Sequence, residues 1–424
     1  MSLFGAMFSG VSGLNAEAQS LGMISDNISN VNTVGYKTTS AAFSTLVTDQ
    51  TVNFYAPGGV RSQPVATVDR QGLMQSSSNA TDLAISGQGF FVATTNPLPT
   101  VTDRRYYTRA GQFAADATGY LKSPAGYYLQ GWRTDKNGVP LATDTSTLSG
   151  LETIRVSSVS GSANATTKVE FGVNLPAAAT VGDVETTHAQ IYDSLGVSHT
   201  ATLTWTKTAA NRWTVVATVP DATTVDKGAV GAGAGYSVNV VFNGDGTPAT
   251  FDGAATPPAL ALGGWTSGAN NSVITMNMGT AGVADGVTQF SSTYNVAFIN
   301  QDGVQFGNFF GVRVDENGIV SALYDNGQTA KIYKIPLATF PDPNGLDSQN
   351  GTAFSESERS GTFTLRAPGD NGAGKIAPSS LEASTTDLAT EFTHMIIAQR
   401  AYSASAKTIT TADQMLDELI QIKR

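Results

Sequence analysis

Leu388-Ala389-Thr390-Glu391-Phe392-Thr393-His394-Met395-Ile396-Ile397-Ala398-Gln399-Arg400-Ala401-Tyr402 opens the stretch on which the fold turns. Within it and beyond, Leu388, Phe392, Met395, Gln399, Tyr402, Ala406, Ile409, Asp413, Leu416 and Ile420 succeed one another at alternating steps of four and three. Eight of these ten are apolar, so the pattern predicts a helix with a narrow, heptad-like stripe. Asp387 stands where a side-chain cap is wanted, and Lys423 and Arg424 suit the negative end of the helix dipole.

The opposite end of the chain repeats the rhythm. Phe4, Met7, Val11, Leu14, Ala18, Leu21, Ser25, Ile28 and Asn32 mark a second helix, weakened at Gly10, Gly13 and Gly22 by about 1 kcal/mol each relative to alanine. Two such helices need each other or copies in neighbouring molecules, which predicts a coiled-coil-like pairing of the two ends.

Between them the pattern is β. Tyr106 to Phe113, Tyr127 to Trp132, Thr200 to Thr206 and Trp213 to Val216 are short strand-like runs. Asp135-Lys136-Asn137-Gly138, Asp315-Glu316-Asn317-Gly318 and Asp325-Asn326-Gly327 are hairpin-turn chemistry. The expected fold is multidomain and mainly β, with paired N- and C-terminal helices and nested, discontinuous domains. Residues 1–32 with 381–424 form a helical inner domain, and 33–75 with 366–380, marked by Pro57-Gly58-Gly59, an extended connector. Residues 76–150 with 289–365 form an inner β-domain, into which a Thr-, Ala- and Gly-rich outer β-domain, 151–288, is inserted.

Composition narrows the function. The 424 residues carry a formal charge of −10, which argues against nucleic acid or an anionic lipid surface as partner. There is no cysteine, so disulfides and thiolate metal sites are excluded. No apolar run nears the roughly 20 residues of a membrane span, and the first basic residue is Lys37, so neither membrane insertion nor a cleaved Sec-type leader is expected.

Chemistry-bearing constellations are missing too. The histidines, at 188, 199 and 394, do not share a helical face at ligand spacing. Gly228 to Gly235 lacks the lysine of a phosphate loop, and Asn243-Gly244-Asp245-Gly246 has Val241 where a calcium loop wants its first acid. Asp315 and Glu316 are neighbours in a turn, not carboxylates facing across a cleft, and no nucleophile elbow occurs. No catalytic residue, metal or cofactor is expected.

Several segments resemble the flagellar rod and hook family of axial proteins. Ser12 to Ala16 and Asn27 to Lys37 are similar to its N-terminal signature. Asp82 to Val92, Tyr107 to Phe113 and Gly119 to Leu121 resemble its shared β-domain, and Leu381-Glu382, Asp387-Leu388, Glu391-Phe392, Met395-Ile396 and Gln399 to Tyr402 its last helix. The family's Ser-Asn-Val before that helix is here Ser384-Thr385-Thr386, and its asparagine near the Ala-Lys of that helix is Ser405. The inserted domain, with Ile191 to Gly196 and Trp213, resembles the outer domain of hook rather than rod subunits.

The resemblance implies an extracellular hook subunit, exported unfolded by the flagellar type III apparatus and polymerised under a cap into a curved hollow tube. Its implied partners are further copies, the distal rod protein, the hook cap protein and the hook-filament junction protein. Leu14, Leu21, Ile28, Leu388, Phe392, Tyr402, Ile409 and Leu416 are the expected interface residues. Asn27, Asn30, Asn32, Gly35, Tyr36 and Lys37 are expected to shape the helix exit. The alternatives are a distal rod protein and a secreted β-rich adhesin.

Overall fold

The computed structural model describes residues 3–46, 58–100, 102–156 and 161–422. Both terminal helices form: α1 is Leu3–Ser29 and α2 is Leu388–Ile422. Asp387 caps α2, its side chain accepting from the Thr390 amide at 2.8 Å. Lys423, Arg424 and Pro57 lie outside the described residues. No helix among the described residues is long and apolar enough to cross a membrane.

The chain divides into two compact units. The first comprises 1–158, 312–322 and 330–424, and the second 159–311 and 323–329. The first unit therefore holds both helices together with a sheet assembled from distant stretches. In that sheet Phe90–Thr94 pairs with Tyr106–Thr108 (Phe91 opposite Thr108), with Tyr128–Arg133 (Ala93 opposite Leu129) and with Leu337–Thr339 (Leu337 opposite Phe91). Ala353–Ser355 extends it beside Tyr106–Thr108. Alternate residues leave the sheet on opposite faces, and both faces are covered. Phe91, Leu121, Leu129, Ile335 and Leu337 belong to one apolar cluster, and Phe90, Val92, Tyr107, Phe340 and Phe354 to the other. Phe90 meets Phe340 and Phe354 edge-on, each pair with centroids 6.0 Å apart.

The second unit is a β-sandwich. One five-stranded sheet contains Val184–Tyr192, Ser198–Ala209, Arg212–Thr218, Ser237–Phe242 and Pro248–Phe251 as an antiparallel array. The other contains Lys168–Asn174, Ala222–Lys227, Leu260–Trp265, Ser272–Asn277 and Asn295–Gln301. Strict alternation on Ser198–Ala209, where Ala201, Leu203 and Trp205 are buried, turns one face of the first sheet inward. There Trp205 and Trp213 join Phe171 and Leu262 of the second sheet in a single core. Trp205 Nε1 donates to Thr187 Oγ1 at 3.0 Å, and Trp213 Nε1 to Gln289 Oε1 at 3.0 Å, so neither large ring buries an unpaired donor.

The turn readings have a common geometry. Asp135 Oδ1 accepts from the Asn137 and Val139 amides, Asp315 Oδ1 from those of Asn317 and Ile319. Gly138 and Gly318 then take φ of +88° and +77°, a region in which a side chain is strained.

Several readings of the sequence need correction. Residues 33–75 are not merely extended: Thr39–Thr45 and Val60–Ala66 form an antiparallel hairpin, Thr39 opposite Ala66, that lies on α1. Its side chains are mostly exposed, so it lacks the apolar alternation that reveals a half-buried strand. Within 366–380, Lys375–Pro378 pairs along its whole length with Leu83–Ser86 and buries Ile376 in the first unit's core. The inserted region also extends past 288. Asn295–Gln301 pairs with Lys168–Asn174, and Val304–Gly307 with Ser162–Asn164, which draws both into the second unit. Tyr106 to Phe113 is shorter as a strand, ending at Thr108, and beyond it Gly111 packs so closely on Leu83 that an added Cβ would overlap its carbonyl oxygen.

Candidate assembly interface

α1 and α2 run antiparallel. The position of a Cβ on Gly10 lies 2.9 Å from Ile409 Cγ1, and on Gly13 2.9 Å from Ser405 Oγ, whereas at the other end Asn27 Nδ2 donates to Glu391 Oε1 at 3.1 Å. The inward row of α1 is therefore Gly10, Ala16, Ser20, Ile24 and Asn27, all buried, with Gly13 half-buried among them, and α2 answers with buried Glu391, Ala398 and Ala412. Small side chains let the two backbones approach closely. Replacing Gly13 by valine should cost about 1–3 kcal/mol by overpacking, visible as a lower melting temperature with the second unit unaffected.

The expected interface residues lie beside this seam rather than in its centre. Leu14, Leu21, Ile28, Ile409 and Leu416 are half-buried, while Leu388, Phe392 and Tyr402 remain 40%, 50% and 41% exposed. Phe4, Phe8, Val11, Ile396, Ile397, Met415 and Ile420 are exposed as well. Large apolar side chains are thus left on the outside of the pair.

The helix exit is a polar knot. Buried Asn27 receives the Thr39 amide and the Tyr36 hydroxyl on Oδ1, each at 3.1 Å, and donates through Nδ2 to the Thr39 carbonyl at 2.9 Å. Burial raises the Tyr36 phenol above its usual pKa, with Asp26 and Glu391 adding to the rise. Gly35 has φ +70°, and a Cβ there would stand 2.6 Å from the Ala110 amide nitrogen, so the position requires glycine. Asn30 bonds only locally, to the Asp26 carbonyl and the Thr33 hydroxyl, and Asn32 is exposed. Thr385, one of the departures from the family pattern, accepts the Thr38 amide at 3.0 Å and ties the second strand of chain to the first.

Beneath the knot lies a charge cluster that the sequence pattern did not single out. Glu382 is wholly buried, with Lys37 Nζ at 2.5 Å and Arg109 Nη1 at 3.5 Å. It also accepts the Gly72 amide at 2.7 Å, while Lys37 donates to the Arg70 carbonyl and Arg109 to the Gly87 carbonyl. Burial lowers the pKa of both cations, against the opposing pull of Glu382. Three remote stretches of chain, at 37, 109 and 382, are thereby fixed at one point.

The three histidines take no part in this cluster. His188 Nδ1 meets Thr202 Oγ1, and His394 is exposed on α2. His199 is buried between Asp193 and Asp221, at 3.1 and 3.0 Å, beneath Trp265. Among the described residues no three His, Cys, Asp or Glu side chains cluster as metal ligands.

Curated relatives match the whole chain. The flagellar hook protein FlgE of Caulobacter vibrioides is 32% identical over 591 aligned residues, covering 100% of both chains, and that of Brucella suis biovar 1 is 35% identical over 428, again covering 100% of both. This chain belongs to the flagellar hook protein family. Family models follow the same order along it. Flagella basal body rod protein matches 7–37, the flagellar hook protein FlgE/F/G D1 domain 84–186, the flagellar basal body protein FlaE D2 domain 162–304, and the flagellar basal body rod FlgEFG protein C-terminal model 377–422. A crystal structure of the Helicobacter pylori flagellar hook protein FlgE2 superposes with a TM-score of 0.47 at 16% identity, covering 73% of this chain and 100% of that one. In this hook-family chain the two terminal models contain the helix seam, the Asn27 knot and, between Lys37 and Glu382, two of the three members of the charge cluster.

Proposed function

We propose that the chain is the structural subunit of a flagellar hook, polymerising through its terminal helices into a curved, flexible hollow tube that transmits torque from rod to filament. The observation behind this reading is the division of labour on the helix pair. Its inner seam is satisfied by small residues within one subunit, and its large apolar side chains, Phe4, Phe8, Leu388, Phe392, Ile396 and Tyr402 among them, are left for neighbours. Leu14, Leu21, Ile28, Ile409 and Leu416, half-covered by the subunit, would complete their burial in the polymer. The knot at Asn27, Tyr36 and Lys37 would hold the exit angle of the helices, so that force on them reaches the β-domain.

On this reading the chain has no catalytic role. It leaves the cell through the flagellar type III apparatus, adds beneath the hook cap protein, and joins the distal rod protein at one end of the tube and the hook-filament junction protein at the other. The absence of cysteine suits passage as an unfolded chain. Helices that owe their stability to packing suit folding at the moment of addition.

Electron microscopy of the purified chain after assembly is the test. Curved hollow tubes are the expected result. Straight tubes would favour the distal rod reading, and a chain that remains monomeric under all seeding conditions would overturn polymerisation.

A further inference from the structure

A cleft of about 570 Å³ opens between α1, the first turns of α2 and the Thr39–Thr45 strand. Met23, Ile24, Phe43 and Ile397 give it an apolar wall, of which Phe43 and Ile397 stay exposed. Its charges are unbalanced. Asp387 is held below the usual carboxylate range by the Thr390 amide and more weakly by Arg70, and Glu391 is engaged by Asn27. His394 is the other basic side chain on the wall. Glu17 has no hydrogen-bond or ion-pair partner among the described residues, and burial pushes its carboxyl up. An apolar slot with an uncompensated acid fits an amphipathic, cationic segment.

A segment of this kind is Ile420-Gln421-Ile422-Lys423-Arg424, with Ile420 exposed. It cannot reach its own cleft. From Ala398 to Ile422 α2 rises away by about 36 Å at about 1.5 Å per residue. We propose that the cleft receives this C-terminal segment from a neighbouring copy, with Lys423 and Arg424 facing Glu17 and the isoleucines against the apolar wall. The contact is head-to-tail, the kind that generates an open helical polymer rather than a closed dimer. It rests on the polymerisation reading and adds to it which surfaces meet along the tube.

Because the chain has no cysteine, the contact can be trapped directly. In full-length chain carrying Met23→Cys and Gln421→Cys, mild oxidation of sedimented polymer should yield a ladder of covalent multimers that collapses on reduction and is absent from either single variant. The two sites sit at opposite ends of the helix pair, so a bond within one chain does not compete. Separately, Lys423→Glu with Arg424→Glu should raise the critical concentration for seeded growth at least about tenfold, and adding Glu17→Lys should bring it back to within about threefold of the parent. Polymer that gives only monomer after oxidation, or a critical concentration unmoved by the tail reversal, overturns the proposed contact and leaves polymerisation standing. A parent chain that never sediments overturns both.

Discussion

Replacing Glu382 by alanine should destabilise the first unit by about 3–5 kcal/mol, because it leaves Lys37 and Arg109 buried without their counter-charge. The Gly72 amide loses its acceptor in the same step. Hydrogen exchange read by peptide is the measurement, since two units need not unfold together. Segments around 33–45, 60–76 and 375–391 should lose protection, while Val184–Tyr192 and Ser198–Ala209 of the second unit should not. The loss should also depend on pH in a defined sense. Burial already lowers the Lys37 pKa, and removing Glu382 removes the interaction that opposes this. Between its folded value and the ordinary lysine value the unfolded chain binds the extra proton, so the variant regains stability as pH rises through that window. Protection that is unchanged from the parent, or that falls further as pH rises, would show that the cluster does not hold the first unit together.

That cluster also shows where sequence reading stops. Lys37 and Glu382 are 345 positions apart, and nothing local at either signals the other. Both stand in motifs that resemble the rod and hook family, yet the resemblance identifies a segment and not a contact. Periodicity serves the helices well, because a stripe at steps of three and four sustained over so many residues fits no strand and no irregular loop. It misplaces the seam for a related reason. The pattern registers large apolar side chains, whereas the closest approach of α1 and α2 is made by Gly10, Gly13, Ala16 and Ala398, whose contribution is the bulk they lack. The hairpin on α1 leaves no such trace, because Thr39–Thr45 offers Ala, Ser and Thr with a single phenylalanine, and its exposed strands need no alternation. Ser198–Ala209, buried on one face only, carries the alternation in full.

The second large effect is expected on assembly and not on folding. Phe392 is half exposed in the subunit, so Phe392→Asp removes little that the isolated molecule uses. If a neighbour covers the remainder of the ring, at about 25 cal/mol per Å² over roughly 80 Å², the loss per added subunit is about 2 kcal/mol before any cost of burying the new carboxylate. That corresponds to about a thirtyfold rise in critical concentration, and the charge penalty should carry it beyond what export-level concentrations can support. Leu416→Asp should act in the same direction but through both routes, since Leu416 is already half-buried against its own subunit and its loss loosens the far end of the pair as well. Comparing the two separates seam from surface. Phe392→Asp should give a monomer that melts like the parent and does not elongate seeds, whereas Leu416→Asp should melt earlier and also fail to elongate. Full-length tubes from Phe392→Asp, at the parent's critical concentration, would mean that the exposed face of α2 is not where copies meet.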